Sequence, residues 1–468
     1  MGSPAPDMDT LDDLMERLSR CSYAIPVHGD DVTILETPSQ YLEAMLEGLA
    51  TARKSVFMAA LYAGIGGGKE EELLSALERA AVDPERPHMR MHLLLDAARA
   101  TRPCLPTAGS TGSAPAQASP KKGEKMTSTA EVLVKRMLQP AADKDDPLRC
   151  RVSLFQTSEH KVIYKRMLPA RVREVVGVQH IKALVFDSTV ILTGANLGGT
   201  YLSTRQDRYL LFKNAPELAR SVTRLLESIA SAAFQLRPPS QSPPSSPKAS
   251  MLSRWRAKDP PSYFLEPPPC GVDPSRQPTL FRAYLCDRLL RLLAPPAAWA
   301  ASVDPAGLER LLDAEDGSSD ARGAEGLGGP SVRFALEHPE EASDVKDASE
   351  LSSHAPSKLP DTWLFPAAQA GFAGLRQEEL ASLCLVAAAR ERGGELTMST
   401  PYLNLARPLE RALALPGLER FSLLTSSPEA NGFSGSAGVS RYIPLAYAHL
   451  ERAAWRRLGR PGGRQGRW

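Results

Sequence analysis

Short apolar runs alternate with amphipathic segments between residues 32 and 96, and this alternation restricts the chain to few architectures. The runs are VTILET, SVFMAALY and HLLLD. Uniformly apolar runs of this length are typical of strands that are buried on both faces. The segments between them, 41–54 and 70–81, carry apolar residues at helical spacing. The β-α-β-α-β order predicts an α/β layer fold with a mixed or mostly parallel sheet.

Composition divides the chain into ordered and linker-like segments. Pro, Ser, Gly and Ala dominate two stretches, and a third is acidic and rich in Gly and Ser. The pattern predicts one complete α/β half followed by an incomplete one. The predicted parts are an N-terminal extension 1–30, a first domain 31–237 with a disordered insertion 100–127, a linker 238–262, a second half 263–458 with a mobile insertion 304–360, and an Arg-rich tail 459–468.

Charge and cysteine content exclude several classes of protein. The 56 Lys and Arg residues nearly balance the 54 Asp and Glu residues, which argues against a nucleic-acid coat protein. No apolar run reaches the ~18 residues of a membrane-spanning helix. The acidic N-terminus shows neither a secretory signal nor a transit peptide. The cysteines are far apart in sequence and form no C-x-x-C pair, so they are interpreted as reduced thiols; they are Cys21, Cys104, Cys150, Cys270, Cys286 and Cys384.

Polar residues follow a regular order around two further predicted strands, 180–187 and 189–193. His180 and Lys182 alternate on the first strand and therefore point to the same face. Asp187 closes that strand, and the second strand leads to Gly194-Ala195-Asn196. Lysine supplies a compact charge for a phosphate oxygen and asparagine a neutral donor, while a neighbouring histidine can attack phosphorus. The segment therefore predicts a phosphate site with a histidine nucleophile.

This spacing resembles the HxK(x)4D(x)6GSxN motif of the phospholipase D superfamily. His180, Lys182, Asp187 and Gly194 stand at the motif positions, whereas the Gly194-Ala195-Asn196 ending is one residue shorter than the common GSxN. The resemblance implies a phospholipase D-like α/β/α sandwich with a mixed sheet.

Other stretches narrow the resemblance to the eukaryotic mitochondrial phosphatidylglycerophosphate synthases. The similar stretches are MAALYAG, HLLLDAAR, RVSLFQT, GANL with RQDRY, DTWLFP and STPYLNL. Enzymes of this family transfer the phosphatidyl group of CDP-diacylglycerol to glycerol-3-phosphate. The resemblance therefore implies these two substrates, a mitochondrial location and a peripheral position on an anionic membrane surface. It implies no metal, no other cofactor and no nucleic-acid partner.

The resemblance also implies roles for individual residues. His180 would attack the β-phosphorus, Lys182 would neutralise phosphoryl oxygens, and Asp187 would orient other groups in the catalytic set. The resemblance implies substrate binding by Gly194, Asn196, Arg205, Asp207 and Arg208. For Arg205, Asp207 and Arg208, a plain surface salt-bridge cluster is the alternative.

A glycine-rich stretch, AGIGGGKEE, is a second candidate site, for the phosphates of a nucleotide such as ATP. Amides at a helix N-terminus can bind an anion. However, the stretch departs from the P-loop pattern, because three residues instead of four separate its outer glycines and Glu70 replaces the expected Ser or Thr. A strand-to-helix turn is the favoured interpretation. The candidate residues are Gly64, Gly66, Gly67, Gly68 and Lys69.

The family carries two HxK motifs, and this sequence has one. None of the other histidines is followed by lysine two residues later. The other histidines are His28, His88, His92, His160, His338, His354 and His449. The single motif has three interpretations: a chain truncated before its second motif, a homodimer that combines two single motifs, and an inactive fragment that binds lipid. Another activity of the superfamily, such as a phosphatidylserine-synthase-like transferase or a phosphodiesterase, is the alternative within the enzyme class.

Overall fold

The computed structural model describes residues 8–104, 126–143, 146, 148–159, 177–241, 262–293, 359–431, 434–435 and 441–458. The tail 459–468 and most of the predicted insertions and linker lie outside the described residues. The two ends of the first insertion meet, since Cys104 and Thr127 exchange backbone hydrogen bonds of 2.7 and 3.0 Å. The described ends of this segment are therefore adjacent.

The strands of the described residues form one large sheet and several small ones. In chain order they are β1 (Ile25–Val27), β2 (Val32–Leu35), β3 (Ser55–Ala59), β4 (Arg90–Asp96), β5 (Cys150–Phe155), β6 (Ala183–Phe186), β7 (Thr189–Thr193), β8 (Tyr209–Phe212), β9 (Phe234–Arg237), β10 (Phe264–Glu266), β11 (Thr362–Leu364), β12 (Gln369–Ala370), β13 (Leu375–Arg376), β14 (Glu395–Ser399) and β15 (Arg420–Leu424). The large sheet has nine strands in the order β10-β9-β5-β4-β3-β6-β7-β8-β2. Only β3–β4 and β4–β5 are parallel within it, so the predicted mixed sheet is confirmed.

Helices of the first half pack against both faces of this sheet, and others lie in the second half. They are α1 (Met8–Ser19), α2 (Pro38–Thr51), α3 (Lys69–Val82), α4 (Ala97–Ala100), α5 (Thr129–Leu133), α6 (Gln139–Ala142), α7 (Pro216–Ala230), α8 (Pro278–Leu293), α9 (Gln377–Glu391), α10 (Arg407–Ala414) and α11 (Ile443–Leu458). No described helix is both long and apolar enough to cross a membrane.

Alternation along the central strands divides the core between the two faces. On β3, Val56 and Met58 pack with α2 and α3, whereas Phe57 packs on the opposite side with α7 and α8. Phe281 of α8 is fully buried in that second layer. Since successive strand residues point to opposite faces, one apolar run contributes to both layers. The result is the predicted α/β/α sandwich.

Residues 264–293, which were predicted to open the second half, pack with the large sheet. Strand β10 pairs antiparallel with β9, and α8 lies in the core layer of this sheet. Phe281, Leu285 and Leu289 bury their side chains in that layer.

The remaining residues of the second half form a smaller unit that contacts the first. Strands β14 and β15 pair in parallel, and α9, α10 and α11 surround a small cluster that contains Val386, Leu413 and Leu418. The connection to the first half includes antiparallel pairing of β1 with β11, in which Ile25 is opposite Leu364. A strand near the start of the chain therefore pairs with the beginning of the second half.

Candidate active site

One edge of the large sheet gathers the candidate site residues. Strands β3 and β4 are parallel, so their C-terminal ends lie at this edge. Strand β6 is antiparallel to β3 and pairs Ala183 with Ala59, so β6 begins at the edge, and β7 returns to it. Strand β8 starts opposite Thr193. The His180 segment, the turn after β7 and the segment before β8 therefore meet at one edge.

His180 and Lys182 lie immediately before β6. The strand was predicted to start at His180, but regular pairing begins at Ala183. Lys182 still takes part in the ladder, because its carbonyl accepts from the Thr193 amide at 3.4 Å. The Lys182 side chain is 7% exposed, and its Nζ donates to the carbonyl oxygen of His180 at 2.8 Å. The His180 side chain remains exposed at the edge.

The protonation of the two side chains suits a nucleophile beside a cation. Partial removal from water, followed by the nearby Lys182 and Arg99, lowers the pKa of His180 to about 4, so its imidazole is neutral at pH 7. Burial lowers the pKa of Lys182 to about 8, while the nearby Asp207 acts in the opposite direction. The ammonium group is therefore still mostly protonated near neutrality.

Asp96 fixes the position of the HxK segment. Its side chain is 1% exposed at the end of β4. One carboxylate oxygen accepts from the Arg99 amide at 3.1 Å, and the other accepts from the Gln179 amide at 3.0 Å. The same carboxylate thus holds the residue before His180 and the first turn of α4. The motif does not indicate this role, since the contact with Gln179 joins residues that are 83 positions apart.

Arg99 is a second residue that the motif did not reveal. Its guanidinium carbon lies 5.4 Å from the centre of the Tyr62 ring. Its charge also lowers the pKa of both His180 and Lys182, as described above. Arg99 therefore adds a cation to the site at the end of β4.

Arg205 is held at the edge by aromatic residues from both halves. Its guanidinium carbon lies 4.5 Å from the centre of the Tyr201 ring, and its side chain hydrogen-bonds to Tyr402. Tyr402 itself packs against Tyr447, with ring centres 5.2 Å apart and the ring planes tilted by 45°. The second half thus contributes a hydroxyl to the site through the STPYLNL stretch. Among the described ion pairs, none joins Arg205, Asp207 and Arg208 to one another, which disfavours the salt-bridge alternative.

Asn196 and Gly194 shape the site from beneath. The Asn196 side chain is 2% exposed, accepts from the Leu61 amide at 3.3 Å and hydrogen-bonds to Tyr201. A Cβ atom on Gly194 would lie 2.4 Å from Oδ1 of Asp207, so a larger residue would displace that carboxylate. Both residues were expected to bind substrate, and this stays a prediction. Their contacts in the structure position the backbone and the aromatic side chains around the opening.

Asp187, which was predicted to belong to the catalytic set, lies at the opposite end of β6 from Lys182. The residue has a φ of 53° in the tight turn between β6 and β7. Its carboxylate accepts three backbone hydrogen bonds, from Arg53 at 2.7 Å, Lys54 at 2.9 Å and Ser55 at 2.8 Å. Five residues of extended chain, roughly 16 Å, separate it from Lys182. Asp187 therefore anchors the start of β3.

The glycine-rich stretch is occupied by a carboxylate of the chain itself. Oε2 of the buried Glu70 accepts from the Gly66 amide at 2.5 Å, and Oε1 accepts from the Gly199 amide. A Cβ atom on Gly64 would lie 2.2 Å from the Glu70 carboxyl carbon. The favoured turn interpretation agrees with these contacts. Because Glu70 takes the place of an anion there, we do not extend the site to Gly67, Gly68 and Lys69.

Comparison with known proteins finds similar phosphatidyltransferases. No family model matches the chain. The chain is 29% identical over 430 residues to the mitochondrial CDP-diacylglycerol–glycerol-3-phosphate 3-phosphatidyltransferase of Gallus gallus, covering 91% of this chain and 63% of the relative. The protein of that name from Homo sapiens is 27% identical over 430 residues, with 91% and 62% covered. The Saccharomyces cerevisiae transferase is 24% identical over 439 residues, with 94% and 66% covered.

The chain is similar to these phosphatidyltransferases, which confirms the resemblance that the sequence stretches predicted. The chain spans less than two thirds of the length of these phosphatidyltransferases. The crystal structure of phosphatidylserine synthase from Haemophilus influenzae superposes with a TM-score of 0.54 at 18% identity, covering 97% of this chain and 74% of that chain. The chain therefore shares the α/β fold of that synthase, in agreement with the predicted sandwich.

Proposed function

We propose that the chain transfers the phosphatidyl group of CDP-diacylglycerol to glycerol-3-phosphate, giving phosphatidylglycerophosphate and CMP. The observation that carries the proposal is the neutral His180 imidazole at the sheet edge, beside the Lys182 ammonium and close to Arg99. The names of the relatives supply the two substrates.

In the first step, the His180 imidazole attacks the β-phosphorus of the lipid donor. A phosphorus–nitrogen bond forms, the diphosphate oxygen–phosphorus bond breaks, and CMP leaves with the bonding electrons. CMP is a phosphate monoester with a second pKa of about 6, so its departure does not require a strong general acid. Lys182, Arg99 and Arg205 stabilise the negative charge on the phosphoryl oxygens as the bonds change. The groups at this edge are sufficient for this half of the reaction.

In the second step, the primary hydroxyl of glycerol-3-phosphate attacks the phosphatidyl-histidine and releases His180. This hydroxyl has to lose a proton. In the two-motif family, the second histidine accepts it. The printed sequence has a single HxK motif, so we expect the second step to be slower than the first. A homodimer would bring two motifs together, and specific activity would then rise with protein concentration.

Location follows from the proposed substrate and from the relatives. CDP-diacylglycerol is a membrane lipid, so we propose that the site works at an anionic membrane surface with the chain bound peripherally. The exposed Arg456 in the last turn of α11 would support such binding, with each surface arginine contributing about 1 kcal/mol. The mitochondrial names of the relatives favour that organelle.

For the domain organisation, we propose a first unit that extends to residue 293 and a second unit from 359 to 458.

The proposed reaction is tested by CMP release from CDP-diacylglycerol in mixed micelles. We expect a burst of about one CMP per chain, because the first step forms a covalent intermediate, followed by a slower phase that glycerol-3-phosphate accelerates. Serine and water are the comparison acceptors. Acceleration by serine alone would favour a phosphatidylserine-synthase-like activity, and water alone a phosphodiesterase. Absence of CMP release at every protein concentration would leave the inactive lipid-binding fragment.

The pH dependence of the first step follows from the two pKa values. The histidine must be deprotonated and the lysine protonated, so we expect kcat/KM for CMP release to be constant between pH about 5 and 7. It should fall below about 4 as His180 gains a proton and above about 8 as Lys182 loses one. Lys182→Arg is the matched variant, because a guanidinium stays charged and should remove the alkaline limb. An acid limb near 6.5, the ordinary histidine value, would contradict the proposed environment.

A further inference from the structure

Two cysteines far apart in sequence lie side by side. The Sγ atoms of Cys21 and Cys384 are 3.8 Å apart, although 363 positions separate the residues. Both are free thiols, and both side chains are half-buried. Cys21 follows α1, whereas Cys384 lies in the middle of α9. The contact therefore joins the N-terminal helix to the second half.

The surrounding contacts fix the relative positions of the two helices. Arg17 of α1 forms an ion pair with Glu391 of α9 at 2.6 Å. Arg392, at the end of α9, forms an ion pair with Asp13 of α1 at 2.7 Å. Two ion pairs at the C-terminal end of α9 thus hold α1 against it, and the thiols lie in the same interface.

The segment that follows Cys21 is fixed as well. The side chain of Gln377 donates to the carbonyl oxygen of Cys21 at 3.2 Å, and the Ser22 hydroxyl donates to the carbonyl of Pro366. Strand β1 then pairs with β11. The chain on both sides of the contact is therefore anchored, and the sulfur atoms have to approach from 3.8 Å to the ~2.0 Å of a bond.

We propose that Cys21 and Cys384 form a reversible intramolecular disulfide that fastens α1 to α9. The two positions would constitute a site of oxidative modification, with a small-molecule disulfide as the oxidant. This inference does not depend on the proposed reaction, because neither thiol belongs to the HxK edge.

Cys384 is the thiol that reacts first. The hydrogen bond from Cys21, and then the charges of Arg17 and Arg20, lower the pKa of Cys384 to about 7. The same contact raises the pKa of Cys21. Thiolate is the reactive form of cysteine, so a substantial fraction of Cys384 is nucleophilic near neutral pH. The half-buried Cys104, by contrast, has a raised pKa because it is removed from water.

The thiol–disulfide exchange needs no reactant other than the small disulfide. The Cys384 thiolate attacks one sulfur of the small disulfide, forms a mixed disulfide and releases one small thiol. The Cys21 thiolate then attacks the Cys384 sulfur, forms the protein disulfide and releases the second small thiol. Two protein thiols are oxidised, and one small disulfide is reduced to two thiols. Excess reduced thiol reverses both steps.

The test uses 2-hydroxyethyl disulfide, a small neutral oxidant that reaches half-buried thiols, followed by alkylation and mass spectrometry of the 468-residue protein. We expect a loss of about 2 Da, corresponding to two hydrogen atoms, and a cross-linked peptide pair that contains Cys21 and Cys384. We also expect the melting temperature to rise by at least about 2 °C, because the bond closes a long loop, and to return on reduction.

Matched variants separate this pair from general thiol oxidation. Cys384→Ser and Cys21→Ser should each abolish the cross-link and leave a stable mixed disulfide at the remaining partner. Cys104→Ser and Cys270→Ser, which remove half-buried thiols elsewhere, should leave the cross-link unchanged. A cross-link between other cysteines, mixed disulfides on both residues without a link, or no reaction would overturn the proposal. These results do not involve CMP release, so they are distinguishable from failure of the proposed function.

Discussion

Replacement of His180 by alanine should reduce CMP release by at least about a thousand-fold, because removal of a nucleophile leaves only binding and electrostatic stabilisation. The burst should disappear together with the slower phase. Binding of the lipid donor should change little, since Lys182 and Arg99 remain. The measurement is single-turnover CMP release with protein in excess of substrate.

His88→Ala is the matched control for this substitution. His88 is exposed and lies before β4, at the end of the sheet opposite the HxK segment. This variant should retain the activity of the unchanged protein. A His180→Ala variant that keeps the burst would show that another group is the nucleophile.

The largest effect on stability is expected at Asp187. Asp187→Ala removes an acceptor of three backbone hydrogen bonds and places alanine at a positive φ. Hydrogen bonds to a charged group are worth about 1.5–3 kcal/mol each when buried, and these amides are partly open to water. We therefore expect a loss of about 3 kcal/mol in the free energy of unfolding. Denaturant titration measures it.

Activity distinguishes this anchoring role from the catalytic role that the motif suggested. Below its melting temperature, folded Asp187→Ala protein should release CMP at nearly the normal rate. Asp12→Ala, an exposed carboxylate on α1, is the control for loss of charge and should leave stability nearly unchanged. Normal stability combined with abolished CMP release in Asp187→Ala would return Asp187 to the catalytic set.

The sheet was largely predictable because its strands are short apolar runs with distinct ends. Residues 231–237 show where this reasoning fails. Apolar residues at helical spacing from 217 to 236 indicate one helix, but α7 ends at Ala230 and β9 begins at Phe234. Pairing of β9 with β5 on one side and β10 on the other decides the outcome. Such pairing depends on segments that are distant in sequence, so local periodicity does not reveal it.

The candidate site was predictable only where its residues share one motif. His180 and Lys182 stand two positions apart on one segment, and their spacing identifies them. The motif also contains Asp187, but strand direction places that residue at the other end of β6. Arg99 and Tyr402 belong to the site through strand order and through contact between the halves. Neither relation can be derived from the spacing of residues along the chain.

The proposed function depends most directly on which residue carries the phosphatidyl group. The protein is mixed with CDP-diacylglycerol labelled in the β-phosphate, quenched within the burst at alkaline pH, digested and analysed by mass spectrometry. We expect label on the peptide that contains His180, with loss of the label in acid, as expected of a phosphorus–nitrogen bond. Label on any other residue, or a burst of CMP with no labelled peptide, would contradict it.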